Sequence, residues 1–304
     1  MEKRAGVVGI GAMGSGMVGV LLENGYTVTV FDLNAEATKA VAKEGVTVAA
    51  SAKEVGEASS VVITSLPSPQ AFEDTVLGEK GLLEGMTAGT YIIDMSTIDP
   101  VTTRTVHERA ASQGVRTLDA PVSGGPQGAA SGTMSVMAGG AEEDFEACRE
   151  ILNVLGGKVF YVGPIGSGQT IKVCNNILGA VHTVALAEAL LTGVKAGVDL
   201  KVLVEVIRSS SGNCWVLENF FPKTVLKNSY DSPLFALDLM QKDVGLFIKT
   251  AEAMKTPAIM SAIAYQFYTA GQTTGKGKKD HTAVVQVIEA LAGEKIGTIP
   301  ESDE

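Results

Sequence analysis

Cysteine is scarce in this chain. There are three, Cys148, Cys174 and Cys214. The number is odd and no CxxC pair occurs, so neither a disulfide framework nor a structural zinc site is expected. Sparse, unpaired thiols fit a reducing, cytoplasmic compartment. Histidine is equally scarce. His107, His182 and His281 lie far apart without ligand spacing, so no metal site is expected. Basic residues are in deficit, with 24 Lys and Arg against 34 Asp and Glu, a formal charge of −10. Such a chain excludes nucleic acid and anionic membranes as main partners, while leaving room for a local site that takes a small anion. The 35 glycines follow no collagen period, and there is neither an internal repeat nor a low-complexity tract. Glu2, Lys3 and Arg4 run straight into a strand and a Gly-rich turn, with no cleavage pattern, so no signal peptide is expected. The nearest approach to a membrane span is residues 177–194, ILGAVHTVALAEALLTGV. His182 and Glu188 interrupt it and Lys172 and Lys195 flank it, which reads as a buried helix instead.

What is present is globular. Hydrophobic residues make up 45% of the 304 and charged residues 19%, which excludes a disordered chain. That length suggests two domains and is enough to bury a sizeable core. In the first half, apolar runs alternate with helical stretches. Ala5–Ile10, Thr27–Phe31, Ser60–Thr64, Tyr91–Asp94, Arg116–Asp119, Thr133–Ala138 and Lys158–Val162 read as strands. Ala35–Glu44 and Ser51–Glu57 read as helices between them. This alternation means βαβ units and a parallel sheet. Pro164, Gly166 and Gly168 then punctuate the chain and the alternation stops. Residues from about 169 to 197 read as one long helix, and Ala236–Ala253 and Asp280–Ala292 as later ones. The expectation is an α/β Rossmann-like domain over 1–165 and an all-α domain over 166–304, joined by the long helix. Glu301–Glu304 are expected to form a frayed acidic tail.

Two places carry chemistry. Gly9-Ile10-Gly11-Ala12-Met13-Gly14 is a GxGxxG between an apolar strand and an amphipathic helix, and Asp32 follows at the end of the next strand. In that context Gly9 permits the tight turn, Gly11 a close approach of backbone to a pyrophosphate, and Gly14 close packing of helix on strand. The helix N-terminus adds N–H donors and partial positive charge. Asp32 accepts from a ribose hydroxyl and repels a 2′-phosphate, and no Arg follows in Leu33–Glu36, so NAD is expected over NADP. A ligand-free turn and a merely capping Asp32 are the bland readings. The second place is Ser123-Gly124-Gly125, where adjacent glycines bare N–H groups able to take a carboxylate, or form an ordinary turn. Lys172 and Asn176, at i and i+4, share a helix face, where an ammonium beside a carboxamide can protonate and orient a carbonyl oxygen. A lone helical lysine is otherwise usually just solvated.

These segments, taken in order, resemble the β-hydroxyacid dehydrogenases, the family of 3-hydroxyisobutyrate dehydrogenase-like enzymes. The motifs are GIGAMGSGM from Gly9, SLP at 65–67, DMST at 94–97, DAPVSGG at 119–125, GSGQTIKVCNN at 166–176 and QKDV at 241–244. The resemblance covers nearly the whole chain. It implies that Lys172 is the general acid/base, that Ser123, Gly124 and Gly125 hold a substrate carboxylate, and that Asn176 orients the substrate. It implies that Thr97 and Lys242 contact the nicotinamide cofactor, that Leu66 and Pro67 lie over its ribose, and that the helical domain makes a homodimer or homotetramer. The chemistry agrees: the cofactor takes the hydride and a lysine made less basic by burial takes the hydroxyl proton. The stretch from Ser209 to Trp215, SSSGNCW, and Lys278-Lys279-Asp280 resemble 3-hydroxyisobutyrate dehydrogenases. Trp215 walls the substrate site on that reading, or packs in the core. The Asn-Pro-rich loop that follows in those enzymes is replaced here by VLENFFPKTVLKNSYDSPL, residues 216–234. The resemblance implies a small carboxylate of the 3-hydroxyisobutyrate type, and the replaced loop leaves L-threonate, D-glycerate or tartronate semialdehyde, and a sulfonate analogue open as alternatives. Imine-reducing relatives usually replace the lysine at this position, so Lys172 disfavours imine reduction, and joint retention of Ser123, Lys172, Asn176 and Lys242 disfavours a non-catalytic NAD-binding role.

Overall fold

The computed structural model describes residues 2–299. The expected acidic tail, Glu301–Glu304, lies outside the described residues. The chain divides into two compact units, Met1–Lys172 and Val173–Glu304. The division falls within the long helix, after the punctuating Pro164, Gly166 and Gly168.

The first unit is built on nine strands: β1 (Arg4–Val8), β2 (Thr27–Phe31), β3 (Val46–Val48), β4 (Val61–Thr64), β5 (Tyr91–Asp94), β6 (Arg116–Asp119), β7 (Val122–Ser123), β8 (Met134–Gly139) and β9 (Gly156–Gly163). They form one sheet in the order β3-β2-β1-β4-β5-β6-β8-β7, with β9 on β8. From β3 to β6 every pairing is parallel. β8 then runs antiparallel to β6 and β7, and β9 runs parallel to β8. The apolar content of the strands follows from burial on both faces. Val61 and Ile63 of β4 belong to one core while Val62 between them belongs to the other. Ile93 and Ile92 of β5 divide in the same way. Both faces are dry, so the strands read as continuous apolar runs and not as alternating ones.

The strand order places the functional loops. The chain moves outward from β1 to β2 and β3, then returns to the other side of β1 at β4. Loops leaving β1 and β4 diverge there, and the crevice at the carboxyl ends of such strands is where open α/β sheets bind ligands.

The second unit is helical. The long helix Ser167–Lys195 leads into it, followed by Leu200–Arg208, Trp215–Asn219, Leu237–Ala253, Ile259–Thr273 and Val285–Ala292. The helix expected over Asp280–Ala292 begins instead as a 3₁₀ turn, His281–Val284, capped by the Asp280 side chain. Among the described residues the long helix alone is long and apolar enough to cross a membrane. Ala180, Val184, Ala187 and Leu190 from it belong to the core of the second unit, together with Phe221, Leu237 and Tyr268. It is a core helix.

Candidate active site

Steric demands at the glycine turn explain its sequence. Gly9 has φ of +92°, and a Cβ there would collide with the Ser65 carbonyl leaving β4. A Cβ on Gly14 would collide with the Gly9 carbonyl. Gly11 is different: nothing lies within 4 Å of where its Cβ would stand. Its missing side chain therefore leaves open space on the outer side of the turn. Gly11 also starts the helix Ala12–Glu23 without a side-chain cap. The amides of that first turn, including Ala12 and Met13, have no intrahelical acceptor and are available to an anion.

Asp32 is tied to this turn. One carboxylate oxygen accepts the Ile10 N–H at 2.6 Å and the other accepts the Asn34 N–H at 2.7 Å. The carboxylate is half-buried, and Leu33 beside it is 95% exposed. A carboxylate has about four acceptor positions, so two bonds leave Asp32 able to accept more.

The ends of β4, β5 and β6 meet in a buried polar frame. Thr64 at the end of β4 donates to Asp94 Oδ1 at 2.7 Å, and the Ser96 N–H donates to the same oxygen at 3.1 Å. Ser96 Oγ in turn accepts the Leu66 N–H at 2.8 Å, which fixes the Leu66–Pro67 loop to the loop carrying Thr97. Gln169, fully buried in the first turn of the long helix, donates to Ser96 O at 2.8 Å and accepts the Ile98 N–H at 3.1 Å. Asp119 closes the frame. Its two oxygens accept the Gly166 and Gln169 N–H groups at 2.7 and 2.8 Å. Burial pushes its carboxyl up to about 7, with the nearby Asp94 charge adding to the rise and the two backbone N–H groups opposing it. A strand-end carboxylate thus caps a helix that begins 48 residues later at Ser167, just past Gly166 in chain order.

The remaining predicted residues are spread over both units. Ser123 ends β7, and Gly124 and Gly125 follow at φ of +140° and +64°. Only glycine takes such angles in succession without strain. The short helix Gly125–Ser131 then passes the glycine-turn helix closely, because a Cβ on Gly16 would stand 2.8 Å from the Ala130 nitrogen. The two glycine-rich loops are therefore carried by touching helices of the first unit. Lys172 and Asn176 are both buried despite their polarity. Within the second unit, Asn176 Nδ2 donates to Asp243 Oδ2 at 2.6 Å, and Asp243 Oδ1 lies 3.1 Å from Lys242 Nζ, close enough for an ion pair without the alignment of a hydrogen bond. Trp215 is 66% exposed and meets Phe220 edge-on at 5.4 Å, so core packing does not account for it. Sequence reasoning missed Gln169, Asp94, Asp119 and Asp243 as site-building residues. The available signal was an aspartate ending each of two consecutive buried strands.

Comparison with known proteins identifies the family. The family model for the NAD binding domain of 6-phosphogluconate dehydrogenase matches residues 4–163. The model described as NAD-binding of NADP-dependent 3-hydroxyisobutyrate dehydrogenase matches residues 166–288. The chain is 37% identical to the 2-(hydroxymethyl)glutarate dehydrogenase of Eubacterium barkeri, over 96% of this chain and 98% of that one. It is 38% identical to the NAD-dependent L-serine dehydrogenase of Pseudomonas aeruginosa, over 96% and 100%. The solved Mycobacterium tuberculosis 3-hydroxyisobutyrate dehydrogenase with L-serine superposes with a TM-score of 0.85 at 33% identity, covering 95% of this chain and 99% of that one. The chain belongs to the β-hydroxyacid dehydrogenase family. It is an NAD-dependent hydroxyacid dehydrogenase, with the Rossmann-like and helical parts that this family combines. The glycine turn fits the cofactor of a β-hydroxyacid dehydrogenase on its own geometry. It leaves an uncapped helix end, an unfilled space at Gly11, and a carboxylate at Asp32 held beside them.

Proposed function

We propose that this β-hydroxyacid dehydrogenase interconverts a small 3-hydroxy acid and its semialdehyde or oxo acid, with Lys172 as general acid/base. The observation that carries the reading is a buried lysine followed at i+4 by a buried Asn176, whose amide Asp243 holds in one orientation. A cation is rarely buried without a task, and a fixed amide one helical turn away suits a substrate oxygen. Bound NAD supplies the hydride acceptor. Lys172 Nζ removes the hydroxyl proton in oxidation and returns it in reduction, and its charged form stabilises negative charge on that oxygen. Ser123, Gly124 and Gly125 hold the carboxylate, and Asn176 orients the hydroxyl carbon. Trp215 covers the apolar part of the substrate.

Gly9, Gly11, Ala12, Met13 and Gly14 receive the pyrophosphate, with Leu66, Pro67, Thr97 and Lys242 along the rest of the cofactor. Asp32 selects NAD over NADP. Residues 1–165 act as the NAD-binding domain and 166–304 as the substrate and oligomerisation domain of a cytoplasmic homodimer or homotetramer. A β-hydroxy carboxylate is the common element of the relatives' names, among them the serine and (hydroxymethyl)glutarate enzymes. The 3-hydroxyisobutyrate type is favoured by the Ser209–Trp215 stretch. The replaced loop at 216–234 keeps L-threonate, D-glycerate and a sulfonate analogue in the panel.

Initial rates by nicotinamide absorbance, over those acids and L-serine with NAD and with NADP, test the reading. One acid is expected to lead, with NAD. Lys172→Ala is expected to lower kcat by about 10²–10⁴-fold with NAD affinity preserved. Near-normal turnover in that variant removes the assignment, and a preference for NADP removes the role given to Asp32.

A further inference from the structure

The Gln169 amide makes two backbone hydrogen bonds that straddle a single residue. Its Nε2 donates to Ser96 O at 2.8 Å and its Oε1 accepts the Ile98 N–H at 3.1 Å. The residue between them is Thr97. A primary amide that donates on one side of a residue and accepts on the other holds that residue's backbone as a neighbouring strand would. Gln169 lies one helical turn before Lys172, at i and i+3, on the same face. Asp119 fixes that first turn from below by taking the backbone N–H groups of Gly166 and Gln169. Gln169 is itself fully buried, so its two bonds face no competition from water.

We propose that Gln169 is a positioning residue that ties the Thr97 loop to the helix carrying Lys172, so that both are set by one hydrogen-bonded frame. This rests on the reading of Lys172 as general acid/base and of Thr97 as a cofactor contact. Gln169 touches neither substrate nor cofactor in this role. Its contribution is the fixed spacing between the proton acceptor and the loop against which the nicotinamide lies, a spacing to which hydride transfer is acutely sensitive.

The requirement is for one donor and one acceptor at the end of a side chain of this length. Gln169→Met keeps the shape and offers neither. Gln169→Glu keeps the shape and, when ionised, can only accept. Protonated, its carboxylic acid restores the one donor and one acceptor of the two backbone bonds, without the second N–H that the amide gives to Asp94 Oδ2 at 3.4 Å. The charged groups around the position are Asp94, 3.4 Å from Nε2, Asp119, which accepts the backbone N–H, and Lys172 one turn along. The two carboxylates favour the protonated form of the introduced acid at the acid end of the range.

The test is steady-state kinetics of the full-length enzyme across pH, with each variant expressed as a ratio to wild type. Gln169→Met is expected to lower kcat about 30–100-fold at every pH, with substrate KM changed less than about threefold. Gln169→Glu is expected to approach wild type at low pH and to fall toward the Met variant as pH rises, adding an ionisation that wild type lacks. A purely structural role would lower activity in both variants without that pH-dependent rescue. Wild-type kcat in Gln169→Met, or a pH-independent ratio in Gln169→Glu, overturns the proposal. Lys172→Ala run alongside separates the two claims. An inert Lys172→Ala with a fully active Gln169→Met refutes the positioning role alone. An active Lys172→Ala refutes the acid/base reading on which it rests.

Discussion

Asp32 engages both carboxylate oxygens with backbone, one on Ile10 inside the glycine turn and one on Asn34. It therefore shapes the turn itself, and on the proposed function it also accepts from the cofactor ribose. Removing it strips an acceptor from two N–H groups, one of them on the buried Ile10. Asp32→Ala is expected to lower stability by about 1–3 kcal/mol by chemical denaturation and, in rates, to narrow the margin of NAD over NADP. The glycines and Asp32 were legible in the sequence because their chemistry is local: a turn, a helix start and the end of the next strand lie within a short span. The shared helix face of Lys172 and Asn176 was legible because helical spacing alone puts them together. Gln169 was not. Its partners Ser96 and Ile98 lie 73 and 71 residues away, and nothing in the neighbourhood of Gln169 points to them.

The long helix depends on its entry. Gly168 admits no side chain, since a Cβ would collide with the Met137 carbonyl and approach Asp119 O to 2.7 Å. Gly168→Ala is thus expected to displace the first turn of this helix, with a large fall in Tm and loss of turnover. Spectroscopic melting and rates would register both. Asp119 adds a pH dependence at the same place. Burial raises its carboxyl from an ordinary 3.8 to about 7, so the folded chain holds a proton there that the unfolded chain releases. Its contribution to stability is greatest below about pH 4, declines as pH rises, and is lost above about 7. Among the elements, the six parallel strands and the long helix were mostly foreseeable from apolar runs and punctuation. β3 was not, being three residues long, and the antiparallel turn-back through β7 and β8 was not, because two-residue β7 carries too little pattern to register.

Three cores organise the described residues, one on each face of the sheet and one among the helices. Their buried ionisable groups respond to acid with opposite sign. His281 is fully buried in the helical unit, and burial lowers its ring to about 4, against the opposing pull of Asp280. A depressed imidazole stabilises above its unfolded value near 6.5 and loses that contribution as pH falls toward 4. Calorimetry between pH 7 and 5 is expected to show His281→Phe narrowing the acid loss of the helical unit. Asp119→Asn is expected to abolish the acid gain of the sheet unit. NAD at about 100 times its Kd should stabilise the unit bearing the glycine turn by about 2.7 kcal/mol. The two-part plan was readable in outline because strand alternation stops at Pro164. The place of division was not, since a helix running through it leaves no mark in the sequence.

The reach of Asp119 has a consequence for the newborn chain. Its two N–H partners stand 47 and 50 residues further on, beyond the last strand of the sheet. While the chain is leaving the ribosome, every strand can be present and the acid at the foot of β6 still lack these two partners. Maturation of the first unit must wait until Gln169 has emerged. A polypeptide released after Gly163 would keep all nine strands and yet lack both N–H groups for the carboxyl at its centre.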